Sequence, residues 1–301
     1  MSDWLHNLPV AWMAVVIFGV TYLIAVAIYT VVMALATGER ARAFKAVSPG
    51  MLPPLGILVG LFVAFTAVQV WNDNDRAKEA VDREASALRA VVILGATFPG
   101  EPQARLRALI RRYIEEAVTQ EWPMMAHQTA TLNLPPRHLF EALQLTLALT
   151  PSSPGQQAAE REMVTELEAA FDARRQRIII SRAQVHFVKW ACLFIQAICA
   201  LFAIALVHSD NRLAATITIG IFATGVAVCV LLIASYDRPF VGQLSIQPDP
   251  LLQGCQRHPN ELKDSGPVRQ LALVVSVQGR ATSVSHTWTK QLATRRGSND
   301  T

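Results

Sequence analysis

Charge is scarce in this chain. Asp, Glu, Lys and Arg make up 17% of its 301 residues, below the roughly 25% usual in soluble domains. The scarcity is uneven: four long stretches hold almost none, while the segment from Asp73 to Arg182 is dense in Arg, Glu and Asp. The net charge of +4 is small. It suits contact with anionic lipid headgroups and argues against nucleic acid, which needs a concentrated basic patch. Cysteine is scarce too. Cys192, Cys199, Cys229 and Cys255 form no CxxC pair, so they give no disulfide framework and read as small buried hydrophobes. HExxH, a P-loop, GxSxG and a glycine-rich dinucleotide turn are all missing. The seven histidines are scattered, and His186 reads as an interfacial residue. Glu115, Glu116 and Glu121 read as the solvated face of a helix. No enzyme activity, cofactor or metal is expected.

What is present is apolar length. Four runs extend over Val10–Ala36, Met51–Val70, Phe187–Val207 and Leu213–Ala234. Each supplies the roughly 20 apolar residues with which an α-helix crosses a bilayer. The first ends in Ala34-Leu35-Ala36, a cleavage-like pattern. It is nevertheless far longer than a signal-peptide core of about 7–15 residues, and no Lys or Arg precedes it, so it reads as a retained span. The expected fold is an all-α integral membrane protein with four transmembrane helices, two plus two, and a helical soluble domain inserted between helices two and three. The expected divisions are a hairpin over 1–72, the domain over 73–183, a second hairpin over 184–235, an extended arm over 236–253 and a polar, poorly ordered tail over 254–301.

Within the domain, Pro and Gly are absent from Asp73 to Leu94, so helix two continues out of the membrane as a rod ended by Phe98-Pro99-Gly100. A second helix begins near Pro102, carries Leu106, Leu109, Ile110 and Tyr113 at helical spacing, and stops near Trp122-Pro123. A third follows Pro135-Pro136. A fourth runs from about Gln156 to Ile180 and merges with span three. The basic residues divide by side. Arg76, Lys78, Arg83, Arg89, Arg174, Arg175, Arg177 and Arg182 flank the domain, against Arg40, Arg42, Lys45 and Arg212 in the two hairpin loops. The larger group places the domain and both termini in the cytoplasm, although the first loop taken alone argues the reverse.

The second span carries two stripes. Ile57, Leu61 and Phe65 recur every four residues, and so do Gly56, Gly60 and Ala64 beside them. The small residues let helix backbones approach closely. In a symmetric ring of such helices the bulky stripe forms a narrow apolar constriction that gates by dewetting; packing against neighbouring spans accounts for the same pattern. Beyond it come Gln69, the interfacial Trp71, and Asn72, Asp73, Asp75, Arg76 and Lys78. This is either a pore entrance or an ordinary charged helix exit.

Three stretches carry a resemblance. They are Leu55–Phe65 leading into Trp71–Lys78 and Val81–Leu88; Tyr113–Val118 with Glu121-Trp122-Pro123; and Tyr236-Asp237-Arg238-Pro239-Phe240 with Ser245–Pro248. Together with the layout, they resemble the bacterial bestrophin-like domain family across roughly residues 10–252, and more distantly the bestrophin channels. The resemblance implies a homo-oligomeric, pentameric ion channel of the bacterial inner membrane. Helix two lines the pore, and Ile57, Leu61 and Phe65 form its hydrophobic neck. The Pro-Phe-Gly element that follows the last span looks like Pro239-Phe240-Val241-Gly242, with Val241 inserted. The partners implied are the bilayer, other copies of the chain and a permeant inorganic ion. An anion such as chloride is expected, although relatives conduct either sign. The Arg-Trp-Trp signature is replaced by Asp73-Asn74-Asp75, and Asp249 alone does not make the acidic calcium clasp of animal relatives. The alternative reading is a non-conducting membrane scaffold or sensor whose helical domain recruits a partner protein.

Overall fold

The structure, a computed structural model, describes residues 8–36, 49–133 and 135–255. The described chain is helical throughout, with no strand. Helix α1 spans Val10–Leu35 and α2 spans Leu52–Leu94, closed by a 3₁₀ turn at Gly95–Thr97. In the domain follow α3 (Glu101–Glu116), a wide turn at Ala117–Glu121, α4 (Trp122–Ala126), α5 (Arg137–Leu147) and α6 (Pro154–Ile180). Then come α7 (Phe187–Val207), α8 (Arg212–Tyr236) and the short α9 (Asp249–Cys255). Helices α1, α2, α7 and α8 are long and apolar enough to cross a membrane. The chain is an all-α integral membrane protein with a helical domain set between its second and third spans.

Helix α2 ties the two parts together. Its 43 residues reach about 65 Å at 1.5 Å per residue, roughly twice the hydrocarbon thickness. Pro53 and Pro54 sit in its first turn, where their missing N–H groups have no intrahelical partner to lose. In the membrane-spanning part, small residues set the packing. Ala215, Ile219, Ala223 and Ala227 recur every four residues along the buried face of α8. Ala25 and Val32 of α1 pack in the same cluster as Ile219 and Ala223, and the Tyr22 and Thr224 hydroxyls meet at 2.7 Å. Helix α7 is joined to α2 by a hydrogen bond from Lys189 to Gln69.

In the domain, α6 runs back along α2. Arg177 meets Glu84 at one end, and Met163 lies beside Gly95 at the other. The α2 stripe Ala77, Ala80, Val81, Ala87, Leu88 and Val91 is buried, as are Met163, Leu167, Ala170 and Ala173 of α6. Leu106, Ile110 and Tyr113 of α3 and Leu139 of α5 close the core.

Three expectations need correction. The second domain helix does not stop at Trp122-Pro123. The Trp122 N–H bonds to the Ala117 carbonyl, and this five-residue step carries the helix past the Pro123 ring to Ala126. Helix α6 does not merge with span three. The chain breaks at Ser181–His186, and the His186 ring opens α7 by accepting the Val188 N–H at 3.3 Å. The arm is not simply extended: residues 237–248 form turns, and α9 then inserts the fully buried Leu251 into the domain core. The loop residues Arg40, Arg42 and Lys45 and the tail beyond Cys255 lie outside the described residues.

Candidate functional site

Along α2 the buried residues Val59, Thr66, Ala67 and Val70 face the other spans. On the other side Ile57 (68%), Leu61 (50%) and Phe65 (68%) are exposed in one row, as are Leu213, Ile217 and Ile221 of α8. Beside them Gly56 and Gly60 are equally bare: nothing lies within 4 Å of a Cβ placed on either, and Ala64 is exposed. Among the described residues no other helix comes close to Gly56 or Gly60.

The exposed row continues beyond the apolar span. Asn72 and Arg76 stand seven and eleven residues past Phe65, about two and three turns, which keeps them on its face. Asp75 and Arg76 are exposed, and Asp73 is half-buried on the flank. Lys78 is exposed but stands on the far side of the rod from Phe65, two residues round from Arg76. The sequence-expected entrance residues thus divide between two faces.

The arm motif is buried and engaged. Asp237 accepts the Val185 N–H at 2.6 Å and so ties the end of α8 to the turn before α7. Arg238 reaches Gln184 at 3.4 Å. The Pro239 carbonyl accepts the Ile246 N–H at 2.8 Å, which closes the arm into a loop. Phe240 meets Trp122 edge-on at 5.7 Å, and the Trp122 indole donates to the Ile246 carbonyl at 3.2 Å. At the membrane side Gln243 accepts the Val10 N–H at 3.1 Å, capping the start of α1.

Behind Trp122 lies a charge network that the sequence reading missed. Arg177 is fully buried and lies 4.8 Å from the Trp122 ring centre. It donates to Glu84 at 2.7 and 3.1 Å and to Glu121 at 2.9 Å. Arg174 donates to Glu121 at 2.8 and 2.6 Å, and the Tyr113 hydroxyl donates to the fully buried Glu84. Two carboxylates thus face two guanidiniums. Burial alone would lower Arg177, but the Glu84 carboxylate overrides it and holds the guanidinium above its ordinary value. Burial, and then the Glu84 charge, pushes the Tyr113 phenol well above its usual range. Glu121 is therefore not part of a solvated face. The wide turn at Ala117–Glu121 brings it inward while Trp122 meets the arm.

A signal for this network was present. Glu84 falls on the three–four spacing of Ala77, Ala80, Val81, Ala87, Leu88 and Val91, and Arg174 and Arg177 fall on that of Met163, Leu167 and Ala170. A charge on an apolar stripe is a buried charge awaiting a partner.

The fold has counterparts in other proteins. The model of the bestrophin-like domain matches residues 19–251. The crystal structure of a bacterial bestrophin homologue from Klebsiella pneumoniae, carrying an isoleucine-to-threonine mutation, superposes with a TM-score of 0.60 at 14% identity. The match covers 79% of this chain and 96% of that one. A crystal structure of a membrane protein with a glycine-to-alanine mutation gives 0.58 at 14% identity, over 81% and 99%. Comparison with the curated proteins returns no match.

Proposed function

This chain belongs to the bestrophin-like domain family, and we propose on that footing that it is an ion channel of the bacterial inner membrane. It conducts anions, chloride among them, as a homo-oligomer with the five-fold symmetry its resemblance implies. Helix α2 lines the pore, with Ile57, Leu61 and Phe65 as its neck. Gly56, Gly60 and Ala64 let the α2 helices of adjacent copies come close. Asn72, Asp73, Asp75, Arg76 and Lys78 bias the ions that approach from the domain side. The domain and both termini are cytoplasmic. The excess of basic residues flanking the domain supports this orientation, and the contact of Gln243 with Val10 puts the start of α1 on the domain side.

One observation carries the reading. The exposed face of α2 joins three large apolar groups in the span to a polar row that continues along the same rod. Bare glycines beside the apolar row mark a face suited to a neighbouring copy more than to lipid. The test is ion flux from liposomes holding purified protein, wild type beside Leu61→Ala, under chloride and potassium gradients. Shrinking the neck is expected to raise basal flux, with a reversal potential that follows chloride. Silence from both folded proteins refutes the channel and favours a scaffold whose domain recruits a partner.

A further inference from the structure

Where α2 has left the apolar span, it forms a groove with the end of α6. The groove has a volume of about 370 Å³ and is lined by Arg76, Glu79, Arg83, Gln176, Ile179 and Ile180. Its charge is uneven. Two guanidiniums share one carboxylate, and Glu79 already pairs with Arg83 at 2.8 Å. Gln176 adds a side-chain amide with two donors. The remaining wall is hydrocarbon: Ile180 is half-buried, and Ile179 is 51% exposed although it stands on a charged helix.

Such a lining favours an anion that carries an apolar body. A guanidinium fork matches a carboxylate or phosphate, with two N–H groups on two oxygens. A bare halide satisfies the cations but leaves the isoleucines in water, whereas a short hydrocarbon body covers them. The volume falls in the roughly 300–1,000 Å³ range of small-molecule sites and is far larger than a halide needs. The groove also has a telling position. Arg76 and Arg83 stand eleven and eighteen residues past Phe65, about three and five turns, so both lie on the face that carries the neck.

We infer that this groove binds a small organic anion, a carboxylate or phosphate ester with a short apolar body. Arg76 and Arg83 hold the charged end, and Ile179 and Ile180 hold the body. The site's place beside the conduction path rests on the pore reading; its binding chemistry does not.

Calorimetric titration of the purified full-length protein with hexanoate tests the inference, with inorganic phosphate and chloride titrated at matched ionic strength. Saturable binding of hexanoate is expected, with phosphate and chloride much weaker. Arg76→Gln and Arg83→Gln should each weaken hexanoate about tenfold or more. Ile179→Asn should weaken hexanoate while leaving phosphate unchanged. Thermal midpoints equal to wild type confirm that the exposed variants are folded. Absence of hexanoate binding, equal binding of hexanoate and phosphate, or arginine variants that bind as wild type would each overturn the inference. The two readings fail separately. Flux that rises in Leu61→Ala without hexanoate binding leaves the channel and removes the site. Hexanoate binding lost in Arg76→Gln, with no flux from any variant, leaves the site and removes the pore.

Discussion

Replacing Arg177 by Met removes the centre of the buried network while roughly keeping its volume. Three hydrogen bonds to Glu84 and Glu121 disappear, and so does the contact with the Trp122 ring. Glu121 retains Arg174, but Glu84, fully buried, keeps only the Tyr113 hydroxyl. Breaking a buried pair by removing one partner costs about 3–5 kcal/mol, because the remaining charge is stranded in a poor dielectric. At about 2–4 °C per kcal/mol for a chain of this size, the thermal midpoint should fall by about 6–20 °C. The assay is tryptophan fluorescence of purified protein in detergent, with all variants heated at one fixed rate. The double variant Glu84→Gln/Arg177→Met removes the stranded charge and should regain at least half of the loss. A midpoint within about 2 °C of wild type, or a double variant no better than the single, would refute the reasoning.

Two further outcomes follow. The Tyr113 phenol stays neutral in the fold well above its ordinary range, so its contribution is complete below about pH 10 and lost as pH rises toward the folded value; wild type should lose stability in alkaline unfolding scans, and Tyr113→Phe should lose it less steeply. Gly60→Leu meets nothing within 4 Å in the protomer and replaces a poor helix former, so the isolated subunit should be unharmed; if neighbouring copies meet there, light scattering in detergent should show the oligomer weakened, and an unchanged mass would exclude that contact.

The spans and the domain helices were legible because each announces itself locally. Apolar length marks α1, α2, α7 and α8, and the three–four spacing of Leu106, Leu109, Ile110 and Tyr113 marks α3. What escaped depends on distant partners or on single bonds. Glu84 looks solvated among Asp82, Arg83 and Glu79 until α6 brings Arg177 to it from 93 positions away. Pro123 looks like a stop until a single carbonyl shift at Ala117 carries the helix past it. The arm looks extended because Pro239, Pro248 and Pro250 break periodicity, yet a seven-residue helix follows and anchors through Leu251. The row of Ile57, Leu61 and Phe65 was legible as a pattern. Its exposure was not, since the same spacing fits a buried face as readily as an open one.

The network and the arm also explain how a rod that is half in lipid and half in water can act as one body. A charged residue pair inside the domain adds little net stability compared with a hydrophobic replacement, so stability alone is a poor account of its position. Its geometry is specific instead. Glu84 stands on α2 about three turns beyond Asn72 and is gripped by α6 through Arg177. Arg177 in turn lies against Trp122, which holds the arm at Phe240 and Ile246. The arm then reaches the membrane helices at two points, Val185 before α7 and Val10 at the start of α1. A rotation or tilt of α2 that changed the exposure of Ile57, Leu61 and Phe65 would have to carry Glu84 with it. Such a motion either strands a buried charge or drags α6, Trp122 and the arm along. Motion of the rod is thereby restricted to movements shared by the domain and the spans. A displacement of the domain would reach Ile57, Leu61 and Phe65 through this chain of contacts.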